Sequence, residues 1–427
     1  MRMKEENHIE NREKIRKIRE KQRESQKVDI EENQQEGARE SLQKGRQQYD
    51  ISNNECMLHD ITTIVELTDS LISYGYHQNA SDIHIDPSLE GIIIRFRVDG
   101  VLTYADTLSL DMHEELISRI KILSGLRTDI HFIPQDGRFR FSQGICDCDV
   151  RVSIVPTHYG ENAVLRLLVG NDDKPNISNL GFSLLDEERI LQCMNHHQGM
   201  ILVTGPTGSG KTSTLYTLIK LLSTGKTSII TLEDPIEYAL PGIRQIQIRE
   251  KHGITFANGL RSIIRQDPDI IMVGEIRDKE TAQIAVNISL TGHLLLSTLH
   301  TNSALGVIPR LIDMGIDPYL TASTISLVIA ERLVRKVCRE CKGISKKISN
   351  GMGCGACGNL GYKGRTVIGE TLVIDEEMRK YIMSRLSLGE IARYARAKGM
   401  MTMYEDGMEK VEKGITTKEE VLRVLHE

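Results

Sequence analysis

Met200-Ile201-Leu202-Val203-Thr204-Gly205-Pro206-Thr207-Gly208-Ser209-Gly210-Lys211-Thr212 is the stretch that decides the fold. An apolar run of strand length leads directly into GxxxxGK[ST], and residues 213–222 have helical character. In that order, strand, loop and helix make a phosphate cradle. The glycines let the backbone curl until consecutive N–H groups face the phosphates at a helix N-terminus. Gly205, Pro206, Thr207, Gly208, Ser209, Gly210, Lys211 and Thr212 are thus the nucleotide-binding set. Lys211 is expected to reach the β and γ phosphates and Thr212 to ligate Mg²⁺. A flexible glycine loop arising by chance is the competing reading, and the flanking strand and helix count against it.

Downstream, short apolar strands at 200–204, 227–232, 270–273 and 294–298 alternate with helical stretches, which predicts a mostly parallel sheet with helices on both faces. A nucleotide site needs a carboxylate for Mg²⁺ and another to position water. Glu233, followed by Asp234, ends one predicted strand, and Glu275 follows another. Ligands of open α/β sheets lie at the carboxyl ends of strands, so both acids should face the crevice that holds the loop. A plain surface acid is the alternative for each. His293 and His300 flank the strand at 294–298; His300, at its carboxyl end, is placed to donate a hydrogen bond to the γ-phosphate, or is a structural histidine.

Upstream, Ile61, Ile64, Val65, Leu67, Leu71 and Ile72 recur at helical spacing. Strands are expected at 92–98 and 148–155, a helix at 114–123, and turns at Asp99-Gly100 and Asp136-Gly137. The organisation reads as a charged, flexible segment over 1–55, a small α+β domain over 56–170, a polar linker at 171–180 and a P-loop domain over 181–427. That last domain contains a cysteine module at 338–363 and a helical tail at 381–427.

The 427 residues carry 54 Lys+Arg against 59 Asp+Glu, a net charge of −5, which argues against a general polyanion binder. Aromatics are 4% and Trp is absent, so a stacking platform for single-stranded nucleic acid is not expected. No apolar run approaches the roughly 20 residues that span a bilayer, and the N-terminus has no signal-peptide core. A cytosolic protein is expected. Cys338-x₂-Cys341-x₁₂-Cys354-x₂-Cys357 has the spacing of a closed tetrahedral Zn²⁺ site, with free core cysteines and an iron–sulfur cluster as alternatives.

Taken together, these segments resemble the type II secretion and type IV pilus assembly ATPase family. The likeness runs through Ala80-Ser81-Asp82-Ile83-His84-Ile85-Asp86-Pro87, Arg95-Phe96-Arg97-Val98-Asp99-Gly100 and Pro134-Gln135-Asp136-Gly137-Arg138 to the P-loop. It continues through Thr231-Leu232-Glu233-Asp234-Pro235-Ile236-Glu237-Tyr238, similar to the family's aspartate box, and Gly274-Glu275-Ile276-Arg277-Asp278, similar to its Walker B region. Thr291-Gly292-His293 with Ser297-Thr298-Leu299-His300-Thr301-Asn302 resembles its histidine box, and coverage extends over about residues 60–427.

The resemblance implies a RecA-like P-loop ATPase in a homo-hexameric ring, peripheral at the cytoplasmic face of the inner membrane. It implies that ATP hydrolysis drives a pseudopilus or pilus through an inner-membrane platform protein. It assigns Glu233 to the attacking water, Glu275 to Mg²⁺ and water, and His300 to coupling the nucleotide to the interface. Arg151 and Arg166 match the arginines that the family presents to the nucleotide from its first domain. The cysteine module fits assembly or export members, since retraction ATPases generally lack it. Two departures stand out: the 1–55 segment takes the place of a further globular domain, and Glu331 stands where the family usually has Gln. A nucleic-acid-translocating ring ATPase is the second reading, against which the acidic balance and scarce aromatics count. A non-hydrolysing nucleotide-dependent scaffold is a third, against which Lys211, Thr212, Glu233 and Glu275 count.

Overall fold

A computed structural model describes residues 63–169, 175–342, 353–358 and 360–426. The segment 1–55 lies outside these residues. The larger of two compact units runs through residues 56–339 and 362–427; the smaller contains the described part of 340–361.

The larger unit opens with helix α1 (Ile64–His77), capped by Thr63. Strands β1 (Ala80–Ser88), β2 (Gly91–Val98) and β3 (Val101–Leu108), helix α2 (His113–Leu123), and strands β4 (Gln135–Gln143), β5 (Cys146–Thr157) and β6 (Gly160–Leu168) follow. They form an antiparallel sheet of order β3-β2-β1-β6-β5-β4. Side chains alternate across a strand, so Ile83, Ile85, Ile94, Phe96, Val152 and Leu165 face a core closed by Leu67, Leu71, Leu116 and Ile120 of the two helices. Asp99-Gly100 is the turn between β2 and β3. Asp136-Gly137 is not a turn: it lies inside β4. Gly137 is required there by close approach, since a Cβ would lie 2.8 Å from the Ser124 carbonyl oxygen.

A second sheet region follows in the chain, with α3 (Leu184–Met194), β7 (Gly199–Thr204), α4 (Lys211–Leu222), β8 (Ile229–Glu233), β9 (Arg244–Gln247), α5 (Phe256–Ile263), β10 (Ile270–Val273), α6 (Lys279–Leu290), β11 (Leu294–Leu299), α7 (Val307–Asp313) and α8 (Pro318–Thr324). A long hairpin of β12 (Ile325–Val337) and β13 (Tyr362–Val373) follows, and α9 (Glu376–Met383), α10 (Leu388–Ala397), α11 (Met403–Glu412) and α12 (Lys418–His426) close the chain. The sheet has the order β13-β12-β7-β11-β10-β8-β9, parallel except for β12–β13. Its central strands are buried on both faces, which is why they are continuously apolar. Met200, Leu202 and Leu295 pack into one core, and Ile201, Val203 and Leu296 into the other. The expected parallel sheet with helices on both faces is present. The β12–β13 hairpin, which flanks the cysteine module in the chain, is an element that motif reading did not separate from its surroundings.

Candidate active site

Four parallel strands, β7, β8, β10 and β11, end on the same edge of the sheet, and the loops leaving them line one cleft. Lys211, Thr212, Glu233, Glu237, Glu275 and His300 all contribute to it. The strand ends are tied together. Thr204 Oγ1 bonds to the Leu299 and Thr301 carbonyls at 2.9 and 3.0 Å, and Thr298 Oγ1 to the Gly274 carbonyl at 2.7 Å. A cleft bounded by such strands holds its polar groups with little freedom to drift.

The loop Gly205–Gly210 turns into α4 through Gly210, whose φ of 107° is open to glycine but strained for other residues. Lys211 is the first helical residue, and its Nζ donates to the Gly205 and Pro206 carbonyls at 2.9 and 2.8 Å. Burial lowers the pKa of this ammonium, while Glu331 and Glu275 oppose that shift. Its present partners are carbonyl dipoles, which a polyphosphate, carrying full charge, outcompetes.

Glu233 ends β8 and is almost fully buried. Thr231 Oγ1 donates to its Oε1 at 2.5 Å and Gln245 Nε2 to the same oxygen at 3.1 Å, while the Tyr216 hydroxyl donates to Oε2. A carboxylate that accepts hydrogen bonds at both oxygens is fixed in direction. Burial beside this anion raises the Tyr216 hydroxyl pKa, so Tyr216 remains a donor. Glu275, just beyond β10, bonds to His300 Nε2 at 3.2 Å through Oε2 and pairs with Arg277 through Oε1. His293 is at the other end of β11, where its Nδ1 lies 3.3 Å from the Ile288 carbonyl.

The two arginines of the first domain differ in position. Arg151 of β5 lies opposite Arg166 of β6. Arg151 bonds to the Ile236 carbonyl and lies 3.3 Å from Glu237, at the wall of the cleft. Arg166 Nε donates to Asp82 at 2.8 Å, with more than half of its side chain exposed. Neither arginine lines the cleft itself among the described residues. Tyr216 and Gln245 were missed by motif reading, while Thr231 and Arg277 stand in the quoted motifs without an assigned role. Thr231, two residues before Glu233 on the same strand face, is the one that strand alternation signals.

The four module cysteines also converge. The sulfurs of Cys338, Cys341, Cys354 and Cys357 lie within 4.8 Å of one another, with Cys357 3.9 Å from both Cys341 and Cys354. Sulfurs at the corners of a tetrahedron around Zn²⁺, with Zn–S about 2.3 Å, would be roughly 3.8 Å apart. Backbone N–H groups of Cys354 and Gly361 point at Cys357 Sγ at 3.2 Å, as expected for a site that collects thiolate charge.

The family described as Type II/IV secretion system protein matches residues 57–423. The chain is 45% identical over 371 residues to the type IV pilus assembly ATPase PilB of Thermus thermophilus, covering 82% of this chain and 42% of that protein. It is 45% identical over 385 residues to type II secretion system protein E of Pseudomonas aeruginosa, covering 86% and 76%. Among solved structures, the pilus retraction motor PilT with bound ADP is similar at a TM-score of 0.60 and 25% identity, covering 83% of this chain and 96% of that one. The Legionella pneumophila ATPase DotB shares the fold at a TM-score of 0.66 and 24% identity, covering 85% and 96%.

Proposed function

The chain belongs to the type II/IV secretion system protein family and is an ATPase, and on that premise we propose that it hydrolyses ATP to ADP and phosphate to power assembly of a pseudopilus or type IV pilus. The observation that carries this reading is the convergence of Lys211, Thr212, Glu233, Glu275 and His300 on one cleft at the carboxyl ends of four parallel strands. The work is done by a homo-hexameric ring acting on an inner-membrane platform protein. Both 45% identical relatives are named for assembly or secretion, and the four-cysteine module fits that branch better than retraction. Among the described residues no helix is long and apolar enough to cross a membrane.

The chain's own residues support each part of the reaction. The loop N–H groups and Lys211 bind the phosphates, Lys211 exchanging two carbonyls for the β and γ oxygens. Glu233, held by three donors, aims a carboxylate oxygen at the attacking water and accepts its hydrogen bond or proton. Thr212 and Glu275 are the residues that would hold Mg²⁺, which when bound neutralises charge on the β and γ oxygens. His300 ties Glu275 to the end of β11, so nucleotide occupancy is felt at the loop that follows. Arg151 and Arg166 supply positive charge from the first domain once it moves toward a nucleotide. Four thiolates would close a Zn²⁺ site with no open position, a structural role.

ATP hydrolysis per protomer as a function of protein concentration, with Lys211→Ala as the blank, tests this. Specific activity that rises with concentration and vanishes in the variant is the expected result. Activity independent of concentration would remove the ring, and full activity in Lys211→Ala would remove the site.

A further inference from the structure

Beneath the phosphate loop lies a carboxyl group that the reaction above does not use. Glu331 is on β12, one residue beyond the position paired with Thr204 at the end of β7, and its side chain is completely buried. Its Oε2 accepts from Thr214 Oγ1 of α4 at 2.7 Å, whereas its Oε1 has no hydrogen-bond partner. That second oxygen is directed at the loop: a Cβ on Gly210 would lie 3.2 Å from it. The Glu331 carbonyl approaches more closely still, 2.5 Å from where a Cβ on Gly205 would be. Ser209 Oγ, also buried in the loop, lacks a partner as well. Side chain and loop are thus in direct packing contact, with two unsatisfied polar atoms at the junction.

The charged surroundings are simple. From α4 come Thr214 and Lys211; β7 brings no ionisable side chain; β13 places Gly369 opposite. Lys211 is the charge that pulls against the burial of Glu331, while Arg332, next on β12, acts on Lys211. A buried carboxylate with one oxygen unpaired is disfavoured against its neutral acid. Burial pushes the Glu331 carboxyl up to about 8, against the opposing pull of the Thr214 hydrogen bond and of Lys211.

We propose that Glu331 is a positioning residue of the phosphate loop: as a neutral acid it leaves the charge of Lys211 to the nucleotide, and as a carboxylate it competes with the phosphates for that charge. The inference rests on the ATPase reading of the cleft. Its sign is fixed by the group. The acid form, competent for nucleotide, prevails below the titration, and the anion, a competitor beside the phosphates, prevails above it.

The test is binding of ADP with Mg²⁺ by calorimetry, together with KM for ATP, across about pH 7 to 9. If only the neutral form is competent, the apparent dissociation constant rises about tenfold one pH unit above the midpoint. Glu331→Gln keeps the shape and an acceptor for Thr214 but cannot ionise, so its profile should lose that rise. Thr214→Val removes a donor that favours the carboxylate and should move the rise to higher pH. Parent and Glu331→Gln profiles that rise in parallel would overturn the proposal, because the titration would then belong to the nucleotide or another group. Flat profiles in both would overturn it equally, and an unshifted Thr214→Val profile would do so even if the glutamine variant failed to fold. Failure of the underlying reading looks different: Lys211→Ala would bind ADP as well as the parent near pH 7.

Discussion

Glu233 shows how a residue quoted from a motif becomes a specific chemical group only in three dimensions. Its donors come from three elements, Thr231 on its own strand, Gln245 on the neighbouring β9 and Tyr216 on α4. The Tyr216 bond is the informative one, because it links the helix that begins at the phosphate loop to the carboxylate proposed to aim the water. Tyr216→Phe should lower kcat about tenfold with KM nearly unchanged, the loss of one hydrogen bond to a charged group; steady-state kinetics decides, and a rise in KM alone would place Tyr216 in nucleotide binding. The motif residues themselves, Lys211, Thr212, Glu233, Glu275 and His300, were legible because each sits at a fixed offset from an apolar strand. Tyr216 and Gln245 were not, since nothing in linear spacing shows that a helix face and an edge strand meet at one carboxylate.

At the scale of elements, the β12–β13 hairpin organises the second half of the chain. It lies beside β7, places Glu331 under the loop, and has the cysteine module between its strands in sequence. Elemental analysis should find about one Zn²⁺ per chain, lost in Cys354→Ser; a folded, metal-free parent would refute the site. The hairpin is also fastened to the final helix. Glu420 of α12, buried, receives Arg335 Nη2 of β12 at 2.8 Å and Arg423 Nη2 at 2.7 Å. Burial alone would raise this carboxyl, but the hydrogen bonds from Arg423 and Arg335 prevail and hold it at about 2. A depressed carboxyl stabilises the fold above its unfolded value near 4.5, and that contribution is lost as pH falls from there toward 2. Thermal melts of Glu420→Gln should therefore fall well below the parent at neutral pH and converge with it as the pH falls toward about 2. A constant difference would assign the loss to packing.

For the whole molecule, the polar contacts between the first domain and the P-loop domain include Arg151 with Glu237 and Asp99 with Gly364 and Arg365. If Arg151 leaves Glu237 to meet the γ-phosphoryl group, Arg151→Ala should lower kcat by about 10³ or more with ADP affinity retained; a variant that loses thermal stability alone would make Arg151 a tether. The sequence by itself determined the P-loop, the parallel sheet, the acids at strand ends and the four-cysteine module, because each rests on local periodicity or spacing that the backbone obeys wherever it goes. Only the tertiary structure decided that Asp136-Gly137 lies within a strand, that Glu233 is fixed by Tyr216 and Gln245, and that Glu331 is buried against the loop. Those outcomes depend on which distant surfaces meet and exclude water, and burial, which sets the charge state of a carboxyl, is a property of the packed chain.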